Sequence, residues 1–116
     1  MDEPHKAYLD EQLRELKTYL DERVSAHRAA NSRELNAIYK EKLRDLEKTV
    51  KDYRSRAVYA YENEMAYIEG QRTKADEHEA RLLALREKSA KRSLERSFGY
   101  AKDAVDGFVD SYRGLL

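Results

Sequence analysis

A stretch of 38 residues, 32–69, contains neither Gly nor Pro and constrains the fold more than any other part of the chain. Its larger apolar residues recur at steps of three and four, which is the spacing of one helix face. At about 1.5 Å per residue, one continuous helix here would be roughly 55–60 Å long, far beyond the usual helix of a globular domain. Because such a helix cannot bury its apolar stripe inside a compact small domain, we expect other helices alongside it, from this chain or from another.

Apolar residues elsewhere in the chain follow the same kind of spacing. From Leu9 to Leu20 the leucines step by four, three and four, which is a heptad seam. From Leu94 to Leu115 the apolar residues again alternate steps of four and three. Over half of the chain is Ala, Glu, Lys, Leu or Arg, the composition of coiled coils and long helices. The sequence therefore predicts an all-α fold: three or four helices with one very long central helix, in an elongated antiparallel bundle or coiled coil.

We expect a single elongated helical domain over residues 1–116. Asn31, with a Glu three positions later, resembles a capping box and predicts the start of the central helix; a kink in one continuous rod is the alternative. Gly70 can end that helix and Thr73 can cap the next one. Gly99 leaves open whether the last two helices are separate or continuous. The predicted helices cover approximately residues 5–29, 32–69, 74–97 and 99–113.

Charge and cysteine content argue against several classes of function. The chain has 23 basic and 23 acidic residues, whereas a general nucleic-acid binder needs a basic excess. We therefore expect no nucleic-acid partner. No Cys is available for a disulfide, a nucleophile or a thiolate metal site. The first residues are acidic and lack an apolar run, so we expect no signal peptide. No apolar run approaches the roughly 20 residues that span a bilayer, and we expect an intracellular protein whose compartment the sequence leaves open.

Side chains that could carry chemistry are scattered along the sequence. His5, His27 and His78 are far apart and occur in neither a His-x-x-x-His nor a Glu-x-x-His pattern. Paired carboxylates such as Glu62 with Glu64 arise on any helix this charged. The sequence contains no Gly-rich phosphate loop and no recognisable nucleophile with its base. We therefore predict no enzyme activity, no metal and no cofactor.

Three serines, Ser89, Ser93 and Ser97, recur every four residues among Lys and Arg side chains. A phosphate on any of them would meet basic groups and alter a packed helix face, which makes the three candidate phosphorylation sites. The alternative is that they are small residues at the edge of an ordinary solvated helix.

The apolar stripes predict a non-catalytic structural, scaffold or assembly subunit that binds protein partner helices, as a homo-oligomer or as part of a larger assembly. The alternative is a peripheral membrane-associated or membrane-shaping protein that uses residues 86–116, although Asp residues on the polar face of the last helix disfavour an anionic membrane. The tyrosine-rich half of the central helix is either an interface or part of the chain's own core. The residues predicted to bind a partner are Leu9, Leu13, Leu16, Leu20, Tyr53, Tyr61, Met65, Ile68, Leu94, Phe98, Val105, Phe108, Tyr112 and Leu115.

Overall fold

The computed structural model describes residues 1–25 and 33–112, and in these ranges the chain forms three α-helices and no strand. Helix α1 spans Glu3–Ser25, α2 spans Arg33–Arg72 and α3 spans Glu77–Tyr112. The molecule is a rod of 65 × 18 × 17 Å. The predicted elongated all-α bundle with a very long central helix is confirmed.

The turn between α2 and α3 lies a few residues later than predicted. Helix α2 continues two residues past Gly70. Helix α3 begins immediately after Asp76, whose Oδ1 accepts a hydrogen bond from the Glu79 amide at 2.8 Å. Asp76 therefore takes the N-cap role that was predicted for Thr73. The predicted boundary at Asn31 lies outside the described residues.

Helix α3 runs without interruption through Gly99, so the last two predicted helices are one. A Cβ at Gly99 would meet nothing within 4 Å, which means that neither a turn nor a close approach requires glycine here. The neighbouring Phe98 and Ala101 are both buried. Tertiary packing on either side of the glycine therefore compensates for its low helix propensity.

Helix α2 runs antiparallel to the other two helices, which are parallel to each other. Helix α1 packs mainly on α3 and has few contacts with α2. Four side-chain contacts fix these directions: Tyr8 with Glu95 and Tyr19 with Asp106 between α1 and α3, and Tyr39 with Phe108 and Tyr53 with Tyr100 between α2 and α3.

One apolar core runs along the inside of the bundle and is built from the predicted stripes. Met65 and Ile68 of α2 and Ala101 and Val105 of α3 are completely inaccessible to solvent. Each large side chain buried in this way contributes about 1.5–3 kcal/mol to folding. The three helices thus cover much of one another's apolar surface within a single chain. None of these helices, over the residues described, is long and apolar enough to cross a membrane.

Candidate helix-docking groove

An open groove of about 300 Å³ runs between α2 and α3. No described residue of α1 lines it, so it lies on the part of the α2–α3 pair that α1 leaves uncovered. We call it the α2/α3 groove. Six of its ten lining residues are small: Ala57 and Ala60 from α2, with Ser89, Ala90, Ser93 and Ser97 from α3.

Helix periodicity explains why these small residues meet. Ala57 and Ala60 are three residues apart, and the three serines are each four apart, so each set lies on one helix face. Where two such faces oppose each other, their short side chains leave space between the helices. The predicted phosphorylation sites Ser89, Ser93 and Ser97 all line this groove, with the first two exposed and the third half-buried.

Aromatic side chains lie about one helical turn beyond the lining residues at each end of the groove. At one end the ring centroids of Tyr53 and Tyr100 are 6.2 Å apart. At the other end the guanidinium carbon of Arg86 lies 4.0 Å from the ring centroid of Tyr67. Arg86 also donates hydrogen bonds to the Glu64 carboxylate, and these bonds raise the pKa of the guanidinium. Glu64, the one acidic residue of the groove lining, is therefore already paired.

Most of the large apolar side chains that remain exposed belong to this side of the molecule. Tyr53 and Tyr67 stand on the same α2 face as Ala57 and Ala60, at heptad steps. On α3 the corresponding stripe continues from the serines to Leu82 in one direction and to Tyr100 in the other. These four side chains are 38–52% exposed, and Leu85, one turn before Ser89, is 64% exposed. The groove and its margins therefore form a continuous, partly apolar surface, which is the usual character of an interaction site.

The middle of the groove is flanked by arginines. Arg56 lies one helical turn before Ala60 on α2, and Arg92 and Arg96 lie one turn apart on α3 beside the serines. All three side chains are exposed, and within residues 1–25 and 33–112 none of them forms an ion pair. The groove margin therefore carries three arginines that no described acidic group of the chain approaches within ion-pair distance.

A second cluster of functional groups surrounds His5, whose side chain is almost completely buried. Its Nδ1 lies 2.9 Å from Asp2 Oδ1 and 3.0 Å from Glu69 Oε2, and its Nε2 contacts Glu87 Oε1. Arg72 lies 3.5 Å from Asp2 and 4.0 Å from Glu87. One imidazole thereby joins α1 to both α2 and α3 at the end of the rod.

The same cluster is the place in the described chain where a metal ion could be held. The ligand atoms of Asp2, His5 and Glu69 all lie within 4.8 Å of one another. However, both ring nitrogens of His5 already contact carboxylates of the chain, and Arg72 supplies positive charge to two of those carboxylates. We therefore interpret the cluster as a structural link between helices. The sequence did not indicate it, because His5 is separated from Glu69 by 64 positions and from Glu87 by 82.

The structure distributes the predicted partner-binding residues between core and surface. Most of them contact the chain's own helices, Tyr53 is exposed at the end of the groove, and Leu115 lies outside the described residues. Their binding to another chain stays a prediction. Buried in the core are Leu9, Leu16, Tyr61, Met65, Ile68, Leu94, Phe98, Val105 and Phe108, and half-buried against it are Leu13, Leu20 and Tyr112.

No family model, no curated protein and no solved structure matches this chain.

Proposed function

We propose that this chain is a non-catalytic scaffold or assembly subunit that binds a helix of a partner protein in the α2/α3 groove. The observation that carries the proposal is that exposed apolar side chains continue both helix faces of the groove about one turn beyond its lining residues. These side chains are Tyr53, Tyr67, Leu82 and Tyr100. The bundle buries its core stripes, and most of the large apolar side chains that remain exposed lie on this side of α2 and α3. A helix laid in such a groove would complete a four-helix arrangement.

The chemistry of the groove suits packing better than catalysis. Ala and Ser side chains provide methyl and hydroxyl groups, and the Glu64 carboxylate is held by Arg86. A general acid or base must be free to exchange a proton with a bound molecule. The His5 cluster is enclosed by helix contacts, and its carboxylates are shared among His5 and Arg72. Both sites therefore favour a structural role.

The experiment compares Ala60→Leu, which fills the groove, with Ala66→Leu on the same helix. Ala66 is exposed and lines no part of the groove, so it controls for the added apolar surface. The probes are three fluorescent helical peptides of about 18 residues with one leucine stripe each, flanked by Glu, Gln or Lys. We expect at least one peptide to bind the original protein and Ala66→Leu, and to bind Ala60→Leu at least tenfold more weakly. If no peptide binds, or if both variants bind equally well, the groove is not a helix-docking site.

A further inference from the structure

We infer that the partner helix carries large apolar residues along one stripe and acidic residues on both sides of that stripe. This inference rests on the proposed function and adds the chemistry of the partner. It follows from the shape of the groove, its length and the charge at its margins.

The small groove lining calls for large side chains on the partner. In interlocking helix packing, a large side chain on one helix enters a space between residues of the other. Ala57, Ala60 and Ser93 leave such a space instead of filling it. A partner with an Ala or Ser stripe would leave a cavity, and cavities in a packed interface are unfavourable. Leu, Ile, Met or Phe on the partner would occupy the space.

The distance between the aromatic ends limits the contact length. Tyr53 and Tyr67 are 14 residues apart on α2, which corresponds to about 21 Å of helix. A partner segment of about four turns spans that distance. A single helix of this size makes an interface at the small end of the range for specific complexes, so we expect micromolar affinity.

The arginines at the groove margin determine which residues should flank the apolar stripe of the partner helix. Arg56 lies on the α2 margin, whereas Arg92 and Arg96 lie on the α3 margin, so a docked helix has arginine on both sides. Flanking positions of helical interfaces select partners through charge pairs of this kind. Glu or Asp at those positions would pair with the three arginines, whereas Lys or Arg would be repelled.

The same charges disfavour a second copy of this chain as the occupant. A two-fold interface places the same surface patch of both subunits together. Two copies meeting through the groove would bring Arg92 and Arg96 of one near the corresponding arginines of the other. Glu95, the acidic residue between these two arginines on α3, accepts a hydrogen bond from the Tyr8 hydroxyl of α1, on the side away from the groove. Asp103 lies beyond Tyr100, outside the basic part of the margin. A partner with the opposite charge is therefore the better fit.

The test measures fluorescence anisotropy of the Glu-, Gln- and Lys-flanked peptides at low and at moderate salt. We expect the Glu-flanked peptide to bind at least tenfold more tightly than the Lys-flanked one, with the difference shrinking as salt rises. The double variant Arg92→Glu/Arg96→Glu should reverse the order. A matched control, Lys17→Glu/Lys48→Glu, changes the same charge at exposed positions away from the groove and should keep the original order.

The possible outcomes separate this inference from the proposed function. If the three peptides bind equally well and Ala60→Leu abolishes their binding, the inference of an acidic partner is overturned, whereas the proposal that a helix docks in the groove stands. If sedimentation equilibrium shows that the protein self-associates, and Ala60→Leu removes that self-association, the groove is an interface between copies of this chain. That result also overturns the inference. Failure of all three peptides to bind would overturn the proposed function itself.

Discussion

The ring of Tyr53 on α2 and the ring of Tyr100 on α3 lie 6.2 Å apart and close one end of the α2/α3 groove. Both side chains remain partly exposed, at 38% and 52%. The pair therefore fixes the register of the two helices while presenting aromatic surface to solvent. Tyrosines in this position commonly contribute strongly to binding, because they bury a large area and lose few rotamers.

Tyr53→Ala is expected to weaken binding of the Glu-flanked peptide about tenfold. The loss of fold stability should be smaller, about 1 kcal/mol, because only one aromatic contact is removed. Tyr59→Ala is the matched control, since Tyr59 is on the same helix and 72% exposed. Anisotropy and urea denaturation measure the two effects. Equal loss of binding in both variants would contradict the assignment of Tyr53 to the docking surface.

His5→Gln is expected to lower the free energy of unfolding by about 1–3 kcal/mol. The substitution leaves at least one of the carboxylates of Asp2, Glu69 and Glu87 without its buried donor. His78→Gln, at an exposed position of α3, should change stability by less than about 0.5 kcal/mol. Both are measured by urea denaturation with and without zinc. A zinc-dependent gain in the original protein that His5→Gln removes would identify the cluster as a metal site and overturn its structural interpretation.

Local sequence spacing was sufficient to predict the helices and much of the core. Residues such as Leu94, Phe98 and Val105 recur at heptad steps, and that periodicity is set by the helix itself. Spacing does not reveal which helix covers a stripe. The same pattern would arise whether Met65 packed on α3 or on another protein, and the structure places it inside the chain's own bundle.

The groove and the His5 cluster depend on how one helix is aligned with another. Ala60 and Ser93 are both recognisable as small residues, but their meeting across a groove follows from the register of α2 on α3. The His5 contacts likewise require three distant segments to converge. Long-range pairings of this kind leave no periodic signal in a single sequence.

Alkaline pH should destabilise the bundle through Tyr61, which is buried, and Tyr8, which is partly buried. Burial raises the pKa of Tyr61 to about 12, and burial together with a hydrogen bond to Glu95 raises the pKa of Tyr8. In the unfolded chain both titrate near 10. The folded state therefore holds more protons between pH 10 and 12, so stability is intact below pH 10 and falls as pH rises through this window.

Tyr61→Phe is the variant that checks this pH dependence. Urea denaturation at about pH 9 and about pH 11 should show a smaller decrease in the free energy of unfolding for Tyr61→Phe than for the original protein. The reason is that the variant lacks one tyrosine whose pKa is raised by folding. The free energy of unfolding of Tyr59→Phe, at an exposed position, should decrease by as much as that of the original protein. Phenolate absorbance provides an independent measurement. If the phenolate of Tyr61 formed near pH 10 in the folded protein, the assigned burial effect would be wrong.

Gly99→Ala is expected to stabilise the protein by about 0.5–1 kcal/mol. The new Cβ meets nothing within 4 Å, and alanine has a higher helix propensity than glycine. Thermal and urea denaturation measure the gain. A loss of stability would indicate that α3 is broken at this position, contrary to the continuous helix described above.

Ser93→Glu is expected to weaken binding of the Glu-flanked peptide at least fivefold without unfolding the bundle. The introduced carboxylate would occupy the groove, repel an acidic partner and neutralise part of the charge of Arg92 and Arg96. Ser55→Glu on the exposed α2 surface outside the groove adds the same charge and should leave binding within about twofold. Anisotropy measures binding, and circular dichroism checks the helix content. If only Ser93→Glu loses fivefold in peptide affinity, the predicted phosphorylation of Ser93 would be linked to partner release. Unchanged affinity would contradict both that link and the preference of the groove for an acidic partner.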